Sequence, residues 1–438
     1  MIWYLEKNER GLRMASTKVI ILGGGFAGLN IAKSLGNTPF DVWLIDKTNH
    51  HLFQPLLYEV ATAALSPADI AVPIRENLAR YKNINVLMGE IVSIDKDKRI
   101  VSLRNGEFIG FDYLVIALGS QSSYYGHDDW KDFSLGLKNL DDALKIREQI
   151  LLSFEKAERC DNRSKASEYL NFVIIGGGPK GTEMAGAIAE IADKTMIHNF
   201  RHIDPAQAKI FLIERLPRIL SSFPEPLSRK AHVYLEKLNV RIMTDVQVSQ
   251  ISKQGVLIDK TFIPSQNVFW LAGDTASPIL QTLGVPLDRQ GRVIVDSDLS
   301  ISGHPEIFVI GDAASVQDPL GVALPAVAPV AIQQGKYLGK ILKHHQEKKD
   351  RKQFNYNDKG MLAVIGKTKG IGTFRNFQFS GFFAWTIWGI VHLLFLTGFR
   401  NRLSVLLQWL FSFITNKRGA RLIYRSIDED QSKKANTN

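Results

Sequence analysis

The stretch KVIILGGGFAGLNIAKSL, residues 18–35, decides how the rest of the chain is read. Five residues, Lys18 to Leu22, make a β-branched apolar run suited to a strand covered on both faces. A glycine cluster follows, then apolar residues at helical spacing. Gly23, Gly25 and Gly28 form GxGxxG in the context that gives that motif meaning, strand before and helix after. The first glycine makes the tight turn, the second lets a pyrophosphate approach the backbone, and the third lets helix and strand pack closely. The helix N-terminus faces the phosphate charge. DVWLID (41–46) reads as the next strand. It ends in Asp46, followed by Lys47, where an acid hydrogen-bonds a ribose diol.

The pattern recurs. FVIIGGGPKGTEMAGAIAEI (172–191) carries Gly176, Gly178 and Gly181, and AKIFLIE (208–214) ends in Glu214. The gap from Gly181 to Glu214 is longer than that from Gly28 to Asp46 and predicts an extended helix and loop. Alternating strands with a turn follow each acid: INVLMGEIVSIDKDKRIVSL after Asp46, VRIMTDVQVSQISKQGVLI after Glu214. Buried strands then end at Gly119 and at Gly273. Gly23 to Gly119 and Gly176 to Gly273 span nearly equal lengths, so the chain repeats one plan. A single glycine motif is weak evidence. Two at matched spacing, each with its acid, predict an α/β protein of two tandem Rossmann-like dinucleotide-binding domains. Such a pair is the equipment for electron transfer between nicotinamide and flavin.

EIFVIGDAAS (306–315) is a further strand ending in Gly311-Asp312, beyond the second copy. The chain is therefore expected to return to the first domain, which is discontinuous, with Asp312 on the ribityl–phosphate side of a flavin. FAD is assigned to the first copy and the nicotinamide nucleotide to the second. Glu214 favours NADH, because a carboxylate accepts from a free 2′-OH and repels a 2′-phosphate. The adjacent Arg215 complicates that preference. Asp112 and Asp274 read as surface or turn residues.

The single cysteine, Cys160, excludes a structural disulfide, a dithiol mechanism and an intrachain thiolate cluster. No metal site is expected. The net charge of +10 is unevenly placed. Residues 334–438 hold 19 Lys/Arg against 6 Asp/Glu, a local +13 that leaves the first 333 residues at −3. A basic tail on a near-neutral body points to an acidic partner. The first 25 residues have no long apolar run, so no signal peptide is read. Met14 is an alternative start, which would make residues 1–13 an extension.

GFFAWTIWGIVHLLFLTGF (381–399) lacks Lys, Arg, Asp and Glu and by length could just span a bilayer. His392, two threonines, three glycines and the RNR that follows argue against it. In the next apolar stretch Ser404, Gln408, Ser412 and Thr415 form a narrow polar stripe. Trp385, Trp388 and Trp409 suit a water–lipid boundary. Arg400, Arg402, Lys417, Arg418, Arg421 and Arg425 supply charge against anionic phospholipid. The expectation is a C-terminal membrane-associating helical segment lying in or dipping into one leaflet. The alternatives are a helix pair buried in a dimer and a true spanning helix. Nucleic acid is disfavoured by the apolar content between the charges.

With these residues in view, the chain resembles the type II NADH:quinone oxidoreductases, single-subunit monotopic flavoenzymes. The matching stretches include VIILGGGFAGLNIAKSL, DKTNHHLFQPLLYEVATAALSPADIAVPIR, FVIIGGGPKGTEMAGAIAEI, FVIGDAAS and LPAVAPVAIQQGKYLGK; the resemblance runs over about residues 17–425. It implies noncovalent FAD, NADH as hydride donor, a membrane quinone as acceptor and no proton pumping. A homodimer at the cytoplasmic face of a bacterial inner membrane is expected.

Carried over by position, Gly23, Gly25, Gly28, Asp46, Lys47, Gly119, Gly311 and Asp312 contact FAD. Gly176, Gly178, Gly181, Glu214 and Gly273 contact NADH. Glu183 matches a family glutamate near flavin and nicotinamide, although on the residues alone it reads as a surface helix acid. The family's quinone motif, Ala-Gln-x-Ala-x-Gln, is here Ala328-Pro329-Val330-Ala331-Ile332-Gln333. Its first glutamine is replaced by Pro329; Ala331, Gln333 and Gln334 complete the expected quinone contacts. The expected domains are 17–125 (FAD, first part), 126–275 (NADH), 276–375 (FAD, return segment) and 376–438 (membrane anchor). Disulfide reductases and sulfide:quinone reductases of the same plan need paired cysteines. A reductase of another acceptor, a soluble iron–sulfur protein or a biosynthetic quinone, stays open beside the main reading, as does a flavin-bearing NADH sensor.

Overall fold

The computed structural model describes residues 16–423. Met14, residues 1–13 and Arg425 lie outside the described residues. The chain divides into two compact units. The first comprises the chain up to His51, Pro73–Ser120 and Ala276–Tyr356. The second comprises Leu52–Val72, Gln121–Thr275 and the chain from Asn357 onward. The second unit is thus discontinuous as well, and the return segment ends at Tyr356 rather than at residue 375. The reason is packing: the strand Met361–Val364 lies against the helix Pro179–Glu190 of the second unit.

In the first unit a six-stranded sheet runs Ile84–Met88, Asp41–Asp46, Lys18–Leu22, Tyr113–Ile116, His304–Val309, Ser300–Ile301. Every neighbouring pair is parallel except the last. Lys18–Leu22 is flanked on both sides, so Val19 to Leu22 are fully buried, as the unbroken apolar run requires. The order reverses between Lys18–Leu22 and Tyr113–Ile116, the switch point at which such sheets open a crevice. Phe26–Leu35 packs on Ala328–Lys343. Gly335 permits that approach: an added Cβ would fall 2.6 Å from the Ala27 carbonyl oxygen. Pro329 sits in the first turn of Ala328–Lys343, where its missing N–H is no loss. Val327 before it is extended, and Leu320, Val322 and Val327 are exposed.

The second unit repeats the plan. Four parallel strands run Val240–Met243, Lys209–Ile213, Asn171–Ile175, Asn267–Trp270. Each unit also carries a three-stranded antiparallel sheet, Ile91–Asp95 to Phe108–Gly110 in the first and Val248–Ser252 to Thr261–Pro264 in the second. Helix Pro179–Glu190 runs on through a π-turn, Ile191–Thr195, into the long connection the spacing predicted.

From Met361 a three-stranded sheet leads into helices Phe382–Phe395 and Phe399–Thr415. The apolar stretch 381–399 is therefore broken. A helix of 14 residues is about 21 Å long, short of the ~30 Å hydrocarbon core. Gly398, at φ 89°, turns the chain between the two helices. No helix among the described residues is long and apolar enough to cross a membrane.

Gly28 and Gly25 separate two roles of the first glycine motif. A Cβ at Gly28 would lie 1.9 Å from the Gly23 carbonyl oxygen, whereas at Gly25 it would meet nothing within 4 Å. Gly28→Ala is expected to cost about 1–3 kcal/mol, a fall of several degrees in Tm by calorimetry. Gly25→Ala should leave the Tm of the flavin-free protein unchanged and weaken flavin retention on dilution.

Candidate active site

The first cradle lies at the ends of Lys18–Leu22 and Asp41–Asp46. Gly23 takes φ 101°, and a Cβ there would lie 2.3 Å from the Ala117 carbonyl oxygen. Asp46 fixes the turn with both carboxylate oxygens: one accepts the Gly24 N–H at 2.6 Å, the other the Thr48 N–H at 2.7 Å. The Thr48 hydroxyl donates as well, at 2.8 Å, so of a carboxylate's roughly four lone-pair sites about one is left for a ribose hydroxyl.

His51 braces the loop from behind, its Nδ1 donating to the Gly24 carbonyl at 2.9 Å. Burial pulls its imidazole down to about 4, so it is neutral near pH 7. The first turn of Phe26–Leu35 contains no acid, and the space beside Gly25 is open, as a bound phosphate requires. Gly119, at φ 67°, likewise has nothing within 4 Å of its Cβ position, and Lys47 is exposed. Asp312 accepts the Ser120 hydroxyl at 2.9 Å. These groups fit FAD: an open glycine cradle at a helix N-terminus, one carboxylate at the second strand's end and another on the returning strand.

The second cradle repeats the first almost atom for atom. Gly176 has φ 113°, a Cβ at Gly181 would lie 1.8 Å from the Gly176 carbonyl oxygen, and Gly178 is open. Glu214 accepts the Gly177 N–H at 2.6 Å and the Leu216 N–H at 2.8 Å. Gly273, at φ 77°, lies under the Tyr125 ring, which an added Cβ would strike at 2.2 Å.

Asp274 is not the simple turn residue expected. It pairs with Lys138 at 2.7 Å and with Lys180 at 3.2 Å. Burial works to raise its carboxyl, but the two ammonium groups outweigh it and hold it below the usual range. The signal that would have found it is the dipeptide itself: Gly273-Asp274 repeats Gly311-Asp312.

The glutamine pair divides its labour. Gln334 is 1 % exposed and accepts the Gly311 N–H at 2.6 Å, so it positions the flavin-side turn. Ala331 is buried beside Gly311, while Gln333 and Pro329 are half-buried.

In the second unit Glu183 is buried, not a surface acid. Burial raises its carboxyl to about 8, opposed by the Val364 N–H, which it accepts at 3.3 Å. A second buried acid, Glu59, was missed. It lies within HHLFQPLLYEVA and accepts the Trp409 indole N–H at 2.7 Å. Burial raises it to about 7 against the pull of Trp409 and Arg418.

Several expected lipid contacts are corrected here. Ser404 and Gln408 donate to Asp69 at 2.8 Å each, so the first half of the polar stripe faces protein, while Thr415 is exposed and donates to the Phe411 carbonyl of its own helix. Trp388 is 4 % exposed and lies against Trp409 at a tilt, ring centroids 5.3 Å apart. Arg418 is also buried: it donates to the Thr62 carbonyl at 2.8 Å and pairs with Glu190 at 3.6 Å. Arg402 caps carbonyls of the preceding helix, at Leu396 and Leu394. Arg421 donates to the Arg418 carbonyl; Arg400 is exposed and Trp385 half-buried. The outer faces of both helices are apolar and exposed, with Phe399, Leu407 and Ile414 prominent.

Residues 17–335 match the pyridine nucleotide-disulphide oxidoreductase family. Fold and cradles together define a two-dinucleotide flavoprotein, an oxidoreductase that carries FAD. Among curated proteins, the chain is 39 % identical over 420 residues to the type II NADH:quinone oxidoreductase Ndh of Mycobacterium tuberculosis, covering 92 % of this chain and 89 % of that one. It is 30 % identical over 410 residues to a demethylphylloquinone reductase of Synechocystis, covering 90 % and 96 %. NDH2 from Plasmodium falciparum, solved in complex with NADH, shares the fold at TM-score 0.85 and 21 % identity, covering 94 % of this chain and 100 % of that one. The chain belongs to the type II NADH:quinone oxidoreductases.

Glu214 supports a test of the second cradle. Glu214→Gln removes a charge-assisted hydrogen bond, worth about 1.5–3 kcal/mol. KM for NADH should rise about tenfold or more, with a smaller change for NADPH, in steady-state assays.

Proposed function

We propose that this protein oxidises NADH and delivers two electrons through FAD to a membrane quinone, without proton pumping, while seated on an anionic lipid surface at the cytoplasmic face of a bacterial inner membrane. The observation that carries the reading is the duplicated cradle. Two open glycine turns, each clamped by a strand-end carboxylate, occur in one chain whose sole cysteine excludes a dithiol acceptor. FAD, when bound, accepts hydride and releases electrons in pairs.

The protein's residues then have defined tasks. Glu214 orients the NADH ribose, and Asp312 with the Gly311 turn orients the flavin side chain. Gln333 donates its amide N–H to a quinone carbonyl. Glu183 holds a proton near neutral pH, because burial keeps its carboxyl high. NADH, a quinone and one proton from solvent balance NAD+ and a quinol.

In detergent, NADH should bleach the flavin and a short-chain quinone should restore its oxidised spectrum; benzoquinone and naphthoquinone acceptors distinguish a respiratory from a biosynthetic substrate. Bleaching without recovery refutes the reading. Gln333→Ala should raise KM for quinone severalfold and leave flavin reduction by NADH unchanged.

The exposed apolar faces of Phe382–Phe395 and Phe399–Thr415 supply the lipid contact, with Arg400 and Lys417 exposed beside them. Phe399→Glu with Ile414→Glu should abolish co-sedimentation with anionic vesicles. Undiminished sedimentation would assign that face instead to a homodimer.

A further inference from the structure

We propose that Glu59, with Tyr58, forms the inner part of a proton path that reloads Glu183 from the solvent edge of the second unit, entering at Glu190. This rests on the quinone reading, in which each turnover draws one proton from water. Glu183 is buried at 8 % exposure, so it needs an intermediary to equilibrate with solvent.

The groups form a file. Glu183 and Glu190 lie on one helix, seven residues and about two turns apart. The short helix Leu57–Ala61 packs against that helix and brings in Tyr58 and Glu59. The Tyr58 hydroxyl donates to Glu59 at 3.3 Å. Arg418 is anchored between the Thr62 carbonyl and Glu190. Glu190 reaches the surface beside Lys194, which pairs with it at 3.6 Å and is 37 % exposed.

The charged and titratable groups around Glu59 are Tyr58 on its own helix, Glu183 and Glu190 on Pro179–Glu190, and Arg418 beyond the last helix. Arg147, on the helix Leu140–Glu158 packed against Leu57–Ala61, is held by the Ala420 carbonyl. Trp409 contributes the indole N–H. Two acids thus meet one buried guanidinium, and each senses the next.

A proton entering from water beside Glu190 moves to the Glu59 carboxylate, and from the Glu59 carboxyl to the Glu183 carboxylate by way of water or the Tyr58 hydroxyl. It replaces the one Glu183 gives up in each turnover. Nothing is oxidised or reduced along the file. Glu59 acts through Glu183 and touches no substrate. That burial places both carboxyls within a unit of neutrality suits the task.

The test is stopped-flow absorbance on Glu59→Gln holoenzyme between pH 6 and 9. Flavin bleaching by NADH should stay within about twofold of wild type. Reoxidation by a short-chain quinone should slow about tenfold or more at pH 8 and lose its dependence near pH 7; Glu59→Asp should restore most of the rate. An unchanged reoxidation profile overturns the path, as does an equal loss in both half-reactions. Wild-type flavin that bleaches but never recovers overturns the quinone reading, and this path with it.

A second measurement is independent of turnover. A raised carboxyl contributes stability fully present below its ordinary value and lost as pH rises through about 7. The Tm of wild type should therefore fall more steeply than that of Glu59→Gln between pH 5 and 8, and equal slopes overturn the assignment. If Glu59→Gln does not fold, Trp409→Phe removes the N–H that favours the ionised form. It should move the reoxidation profile to higher pH, and no movement overturns the path.

Discussion

The hydrogen bond from the middle glycine of each GGG turn to the carboxylate ending the next strand is the constraint on which both halves depend. Gly24 donates to Asp46 and Gly177 to Glu214, each at 2.6 Å. A strand ending in a left-handed glycine must reverse into a helix with its first N–H groups unsatisfied. An acid one strand away takes the N–H of the glycine just before the N-cap and pins the turn before any ligand arrives, leaving the helix's own first donors free. The remaining space, beside Gly25 and Gly178, is then open and electropositive. The same acid keeps a lone pair for a ribose, so one side chain couples backbone geometry to nucleotide recognition.

The C-terminal helices obey a second constraint, opposite in sense. Phe399–Thr415 is held to the second unit by polar contacts with the segment Leu52–Val72. Asn401 donates to the Ala68 carbonyl, Ser404 and Gln408 to Asp69, and Trp409 to Glu59. Hydrogen bonds are directional, so together they fix which face of the helix points inward. The apolar side chains are left outward. In an ordinary surface helix the polar face meets water. Here the order is inverted: polar contacts lie inward and the exposed side chains are largely apolar.

The repeat, the returning strand and the two glycine turns with their acids were legible because each rests on local chemistry: glycines at fixed spacing, an acid at a strand end, an apolar run buried on two sides. The tail was legible only in part. Its apolar content showed on inspection, but whether Ser404 and Gln408 faced water or protein depended on Asp69, some 335 residues away in sequence. Trp388 and Arg418 were misread for the same reason, since aromatic and basic residues near a lipid-seeking stretch look alike whether they point out or in. Glu59 went unseen because an acid in an apolar helix has no spacing signature of its own. Gln334 and Gln333 were adjacent amides in the sequence. Only the Gly311 N–H separates the structural one from its neighbour.

The second constraint reaches the buried carboxyls. Glu59 and Glu183 are raised first by burial, and part of that burial comes from the segments that present the apolar outer face. Trp409, which covers Glu59, stands on the same helix as Leu406 and Leu410, which are exposed. Val364, which covers Glu183, belongs to the hairpin that feeds Phe382–Phe395. Loosening the C-terminal segment would therefore admit water to both acids and return them toward the ordinary carboxylate range. One packing arrangement thus accounts both for the apolar outer face that the proposed function assigns to lipid and for the burial that raises the two acids.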